Sequence, residues 1–282
     1  MNQVFDFKRW LLLVGKHWGE NRKRYLLSLV ALAALMIIWY IFVMLIERRK
    51  PFEDEMQVTT YFIGMAIVGC LFGSLLFSEA TSGPRAMHFI SVPASLVEKV
   101  LCALLYGVVL FFICYTVIFY LVDFTMIKVS NGILEQYWKE RDPSYVFTAT
   151  NVLNVFGKPP NTSMDQPNIF FYFLVMYINL QSAFILGSIY FSGYSFIKTA
   201  IALLVAFLLV IFYMANILDS FMPRGHFGEG FFTYVIPGKD GEPSRGAVLP
   251  GWMSTSIKYL LMYGFLLLLW FATYFRLKEK EV

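Results

Sequence analysis

The chain has 282 residues, of which 58% are hydrophobic and only 15% are charged. Soluble domains of this size run nearer a quarter charged, so the composition excludes an ordinary soluble domain and points to lipid. The 23 basic and 19 acidic residues are spread unevenly and leave long stretches with no charge at all.

Residues 1–24 come first, and 5–20 within them predict an amphipathic helix that either lies in the headgroup plane or serves as an aromatic anchor ahead of the first span. Phe7, Trp10, Leu11, Val14 and Trp18 recur on one helical face, with Lys8, Arg9, Lys16 and Glu20 on the other side. Six uncharged stretches follow: Tyr25 to Ile46, Met56 to Ser78, Val100 to Val122, Gln166 to Ile197, Thr199 to Leu218 and Tyr259 to Phe275. A helix rising 1.5 Å per residue needs roughly 20 residues to cross a hydrocarbon core of about 30 Å. Lipid cannot satisfy backbone polar groups, and the runs lack the alternation of a barrel strand, so the spans are read as helices. The first span holds thirteen Leu, Ile, Val or Phe residues and no charge, which favours insertion by on the order of 5 kcal/mol. The predicted fold is an all-α integral membrane protein. Its spans lie near 25–46, 57–78, 100–122, 169–191, 199–218 and 257–275, with structured external loops at 123–168 and 219–255.

Basic residues set the orientation. With the amino terminus inside, the cytoplasmic segments hold 12 Lys or Arg and the longer external segments 11. Arg22, Lys23 and Arg24 directly precede the first span, and Arg276, Lys278 and Lys280 follow the last. Both termini are therefore expected in the cytoplasm. Arg48, Arg49 and Lys50 run against this and lie beside the acidic Glu53, Asp54 and Glu55. No small-residue cleavage site follows the first span, so no secretory leader is expected.

Between the second and third spans, Glu79 to Lys99 forms a cytoplasmic segment held between Gly83-Pro84 and Pro93. Ser95 with Glu98 three residues on predicts a capping box that starts the third helix. The loop 123–168 mixes aromatic and charged residues and is long enough to be functional. In 219–255, Asp240-Gly241 predicts a hairpin turn between Phe231–Ile236 and Ala247–Leu249. A short turn near 192–198 makes the fourth and fifth spans a helical hairpin.

Catalytic and metal motifs are absent from the sequence: no Walker A pattern, no HExxH, no GxSxG and no CxxC. The cores of the six spans carry no Asp, Glu, Lys, Arg or His, which argues against an ion-coupled carrier and an intramembrane enzyme. No enzymatic activity, cofactor, metal or nucleic-acid partner is expected, and energy for transport would come from another subunit. Cys70, Cys102 and Cys114 lie within spans and read as packing residues. Asn179 and Ser182 share a face of the fourth span, Gln181 lies roughly opposite, and Asn216 is near the outer end of the fifth. These residues either face a pathway or bond between helices, and the second reading is favoured. Gly69 and Gly73 form a close-packing GxxxG in the second span.

The run Ile90-Ser91-Val92-Pro93-Ala94-Ser95-Leu96-Val97-Glu98-Lys99, set in this layout, resembles bacterial ABC-2 type transporter permeases. In that family a phrase of leucine, proline, alanine or serine, serine, two variable residues, glutamate and lysine follows a short helix that touches the ATPase. The likeness covers nearly the whole chain in layout and about ten residues in motif; the long loop 123–168 departs from the simplest members and leaves the substrate open. The resemblance implies a bacterial inner-membrane permease subunit of an ATP-driven exporter, working as a homo- or heterodimer with a separate ATPase. Glu79 to Phe89 would be the coupling helix, with Glu79, Arg85 and His88 as rim contacts and Met87 and Phe89 as apolar anchors. The alternative is a membrane-embedded assembly subunit that anchors partners through its external loops.

Overall fold

Six helices among the described residues are long and apolar enough to cross a membrane in the computed structural model, and the chain is a multi-pass membrane protein with an all-α spanning fold. The structure describes residues 5–47, 50–77, 92–141, 147–157, 169–213, 216, 226–227, 233–236, 245–248 and 250–281.

Helix α1 (Phe7–Ile46) is a single rod of 40 residues, about 60 Å long. It starts where the Asp6 side chain accepts from the Lys8 amide at 2.9 Å. The expected interfacial helix over 5–20 is therefore not a separate element. Nothing between it and the span breaks a helix: no proline intervenes, the space beside Gly15 and Gly19 is open, and the Asn21 amide turns back to the His17 carbonyl at 3.2 Å. Helix α2 (Asp54–Leu76) begins with Asp54 and Glu55 in its first turn, where acidic groups suit the helix dipole.

Helix α3 (Leu96–Arg141) starts at the predicted capping box, with Ser95 and Glu98 bonding each other's backbone amides, and contains a π-turn at Leu105–Leu110. It does not end at Asp123. The first part of the expected external loop 123–168 is helix as far as Arg141. Buried Met126, Ile127, Ser130 and Leu134 continue the helical period, and Glu135–Lys139 and Tyr137–Arg141 pair across successive turns at 2.6 and 2.8 Å. A break in an uncharged run marks where hydrocarbon can end; it does not end a helix.

Helix α4 (Ile169–Tyr190) turns through Gly193 and Tyr194, both at positive φ, into α5 (Ser195–Phe212), so the predicted hairpin is present. Helix α6 (Gly251–Lys280) carries a second π-turn at Leu260–Gly264. It begins six residues before the expected 257, behind Pro250, whose fixed φ suits a helix start. Three short antiparallel strands precede it: β1 (His226–Phe227), β2 (Thr233–Ile236) and β3 (Arg245–Val248). Thr233 pairs with Val248 and Ile236 with Arg245. That register centres on Asp240-Gly241, the predicted turn, which itself lies outside the described residues.

Helices α2 and α4 lie against each other at the centre, α1 flanks α3, and α6 and α5 pack on α4. Gly69 faces the Tyr177 ring and Gly73 faces the Gln181 backbone and Ile185, so the GxxxG stripe is a seat for α4. One apolar cluster gathers Tyr40, Tyr61, Met65, Tyr115, Phe119 and Tyr177. A second gathers Phe77, Ala103, Ile185, Ile189 and Leu277. The second cluster lies at the end of the bundle that also holds the start of α1 and the end of α6, so the residues near both termini share one end.

A Cβ at Gly73 would sit 3.3 Å from the Gln181 carbonyl oxygen and from Ile185. Gly73→Leu is expected to destabilise the bundle by about 1–3 kcal/mol, as overpacking does. Gly15→Ala, in open space, should raise stability by up to about 1 kcal/mol. Thermal unfolding of the two variants in one detergent checks both.

Candidate functional site

The predicted coupling residues Glu79, Arg85, Met87, His88 and Phe89 lie outside the described residues, which stop at Phe77 and resume at Val92. The structure does describe the frame on which that segment is mounted.

On its carboxyl side the frame is built around Glu98. The capping box alone would leave this carboxylate in the first turn of α3, half committed to the Ser95 amide. Instead Glu98 is wholly buried and accepts five hydrogen bonds. Arg9 grips both oxygens, with Nε at 3.0 and 2.7 Å and an Nη at 2.6 Å. The Asp6 amide donates at 2.8 Å and the Ser95 amide at 2.9 Å. The start of α1 is thereby fastened to the start of α3 through one carboxylate, in the two-pronged geometry that only arginine offers. Glu98 precedes the uncharged stretch of α3, and its hydrogen bonds, those from Arg9 foremost, hold its pKa down at about 2, against an ordinary 4.5.

Further ties bind the same end. Tyr106 donates to the Val14 carbonyl at 3.0 Å, a second link between α1 and α3. Ser195 at the head of α5 donates to the Ser74 carbonyl near the end of α2 at 2.8 Å. Lys280 donates to the Ile189 carbonyl at 2.8 Å, and Arg276 lies 4.6 Å over the Tyr190 ring. These two cations sit where the dipole of α4 ends, and a positive charge is favoured there. Phe77, closing α2, is buried in the same cluster as Leu277.

The polar residues of the spans fall into place around α4. Asn179 donates to the Met262 carbonyl at 3.0 Å, inside the π-turn of α6, and to the Val175 carbonyl of its own helix. Gln181, on the opposite side, donates to the Gly107 carbonyl, inside the π-turn of α3. A π-turn displaces carbonyls from the regular ladder, and in lipid a neighbouring side chain has to supply the missing donor. Ser182 is buried and bonds back to the Ile178 carbonyl, and Asn216 bonds back to the Phe212 carbonyl. Of the four singled out in sequence, Asn179 and Gln181 reach another helix, while Ser182 and Asn216 bond within their own.

At the far end, residues 147–157 run back over the helices as a strap. Gln57 accepts from the Leu153 amide at 3.0 Å and donates to the Asn151 carbonyl at 3.4 Å. Asn131 donates to the Thr150 carbonyl at 2.9 Å and accepts from the Thr150 amide at 3.3 Å. Each side-chain amide thus imitates a peptide group. Nearby, Tyr40 donates to Asp123 at 2.5 Å, both of them fully buried. Cys70, Cys102 and Cys114 are free thiols, the first two buried.

Sequence reasoning found Glu98 as a cap and missed Arg9 as its partner. The only signal was an arginine on the polar side of an amphipathic stretch, 89 residues away.

Replacing Glu98 with Gln removes the charge from four donor groups and is expected to lower stability by about 1–2 kcal/mol. The double variant with Arg9→Gln should lose less than the sum of the two single losses. A carboxylate whose pKa is depressed from 4.5 to about 2 contributes fully above the higher value and loses that contribution as pH falls towards the lower. The stability gap between wild type and Glu98→Gln should therefore be flat from neutral pH to about 5 and close below it; denaturation curves across that range measure it. No family model, no curated protein and no solved structure matches the chain.

Proposed function

We propose that this chain is the transmembrane permease subunit of an ATP-driven exporter of the ABC-2 type. In this reading it sits in a bacterial cytoplasmic membrane with both termini inside, contains no catalytic centre, and works as a homo- or heterodimer with a separate ATPase.

The observation that carries the reading is the anchorage of segment 78–91. It leaves α2 beside a buried Phe77 and enters α3 one turn before Glu98, which is locked to Arg9 and Asp6. A force on residues 79–89 therefore reaches α1 and α3 together. Rigid elements joined in this way tilt as a body under load. Closure of an ATPase dimer against the segment would supply the load, with Glu79, Arg85 and His88 at the rim and Met87 and Phe89 as anchors. The end that holds this segment also carries Arg22, Lys23, Arg24, Arg276 and Lys278, which supports placing it in the cytoplasm. Helix α5 is exposed along nearly all of its length beyond Thr199, which supports a second copy beside it.

One observation favours the alternative of an assembly subunit: the strap at 147–157, pinned by Gln57 and Asn131, gives the opposite end a built surface. Purification under mild conditions separates the two. The permease reading expects a nucleotide-binding ATPase to co-purify, and to be lost with Arg85→Glu or Phe89→Asp. A complex that never contains an ATPase, and whose partners leave only when Gln57 and Asn131 are both changed to Ala, overturns it in favour of assembly.

A further inference from the structure

A hollow of about 260 Å³ opens between α1, α2 and α3, and among the described elements these three helices alone line it. Four rings brace it. Tyr106 of α3 stacks on Tyr25 of α1 at 5.8 Å, Tyr25 meets Phe72 of α2 at 5.7 Å, and Phe72 stacks on Phe111 of α3 at 5.5 Å. This chain of rings passes once round the three helices and fixes the spacing of the walls. Leu29, Leu32, Val68, Leu110 and Cys114 are among the rest of the lining.

Its walls present neither nitrogen nor oxygen, and the hydrogen bonds around it explain why. Tyr106 donates to the Val14 carbonyl at 3.0 Å, Tyr115 to the Tyr61 carbonyl at 2.9 Å, and Ser28 to the Arg24 carbonyl at 2.7 Å. The Tyr25 hydroxyl is held by His17 Nε2 at 2.5 Å. Every hydroxyl at its border is thus turned to another partner. An apolar space of this kind rejects water and accepts hydrocarbon. The helix turns beside it expose Ile67 and Leu71 of α2 and Val109 and Ile113 of α3. Side chains of that kind face lipid tails, so the medium at the opening is hydrocarbon too.

The dimensions of the hollow select its guest. Along α3 the lining runs from Tyr106 to Tyr115, about 14 Å, close to the roughly 15 Å of hydrocarbon in one leaflet. One end lies at Trp18 and Tyr25, beside the basic run Arg22, Lys23 and Arg24, which is the aromatic and cationic belt of a membrane interface. A space that starts at the interface and ends near the middle of the bilayer follows the path of an acyl chain. We propose that it holds one acyl chain of a phospholipid from the leaflet at the end shared by the termini. Recognition is by shape and dispersion: the chain fills a void whose walls would otherwise lack neighbours on one side. The head group stays outside the lining, so its charge does not matter. The site does not depend on the export reading.

Photolabelling of the full-length protein in liposomes tests it, with a phosphatidylcholine that carries a diazirine midway along one chain. Leu110 and Cys114 line the hollow, whereas their neighbours Val109 and Ile113 are exposed at the same depth of α3. Labelling of the lining pair is expected to exceed that of the exposed pair about fivefold, as a resident chain should against exchanging ones. A phosphatidylglycerol with the same labelled chain should give the same ratio. Cys114→Trp, which fills the hollow, and Ser28→Trp, at its border, should each bring the ratio to one or below. Residue 28 is exposed, so the second variant keeps its fold, which its melting temperature will register. A lining labelled no more than the exposed pair, a ratio retained by either variant, or labelling confined to one head group overturns the assignment. So does a second copy that cross-links through Cys114 and leaves the lining unlabelled.

Discussion

Inside hydrocarbon a carbonyl that leaves the helical ladder has no water to receive it, and the arrangement of this bundle follows from that constraint. Helices α3 and α6 each contain a π-turn, and each turn lies against α4. Helix α4 places Asn179 on one side and Gln181 on the other, and each donates to a carbonyl within one π-turn. The central position of α4 is thus fixed by polar chemistry as well as by the glycine seat on α2. Apolar packing alone holds helices weakly in lipid, because tails are as apolar as side chains. Directional amide bonds give the bundle a register that packing would leave soft.

The amino-terminal frame and the strap are held by different chemistry. At the end shared by the termini, charge dominates: a buried carboxylate gripped by arginine, and two cations at the end of α4. At the other end, neutral amides of Gln57 and Asn131 take the place of backbone groups and hold the strap as a sheet would hold a strand. The first kind of contact responds to pH and to ionic partners; the second responds to neither.

The spans were legible in sequence because an uncharged run of about 20 residues has few alternatives to crossing a membrane. The capping box at Ser95 and Glu98 and the centre of the β2–β3 hairpin were legible too, since each is a local pattern. Helix ends were not. Residues 25 and 123 look like boundaries because charges stand beside them, yet α1 and α3 run straight through both. Arg22, Lys23 and Arg24 are exposed on the rod, and Asp123 accepts a hydrogen bond from Tyr40, a residue of another helix. The polar residues of α4 were visible as exceptions within a span. Their partners are backbone carbonyls of π-turns, and a backbone carbonyl leaves no signature in a sequence. Arg9 stayed hidden for the same reason of distance, as its partner lies 89 residues on.

Helices α1 and α3 run in the same direction and are bolted together by Arg9 to Glu98 at one end, Tyr106 to Val14 a little further along, and Tyr40 to Asp123 at the other. The outer bolts lie about 46 Å apart along α1 and about 37 Å apart along α3 at 1.5 Å per residue, a mismatch within reach of the long arginine, glutamate and tyrosine side chains. The two rods form a truss with unequal beams. Such a frame forbids lengthwise sliding of one rod past the other, because either slip would break a buried polar contact. It leaves pivoting of the pair as the cheap deformation.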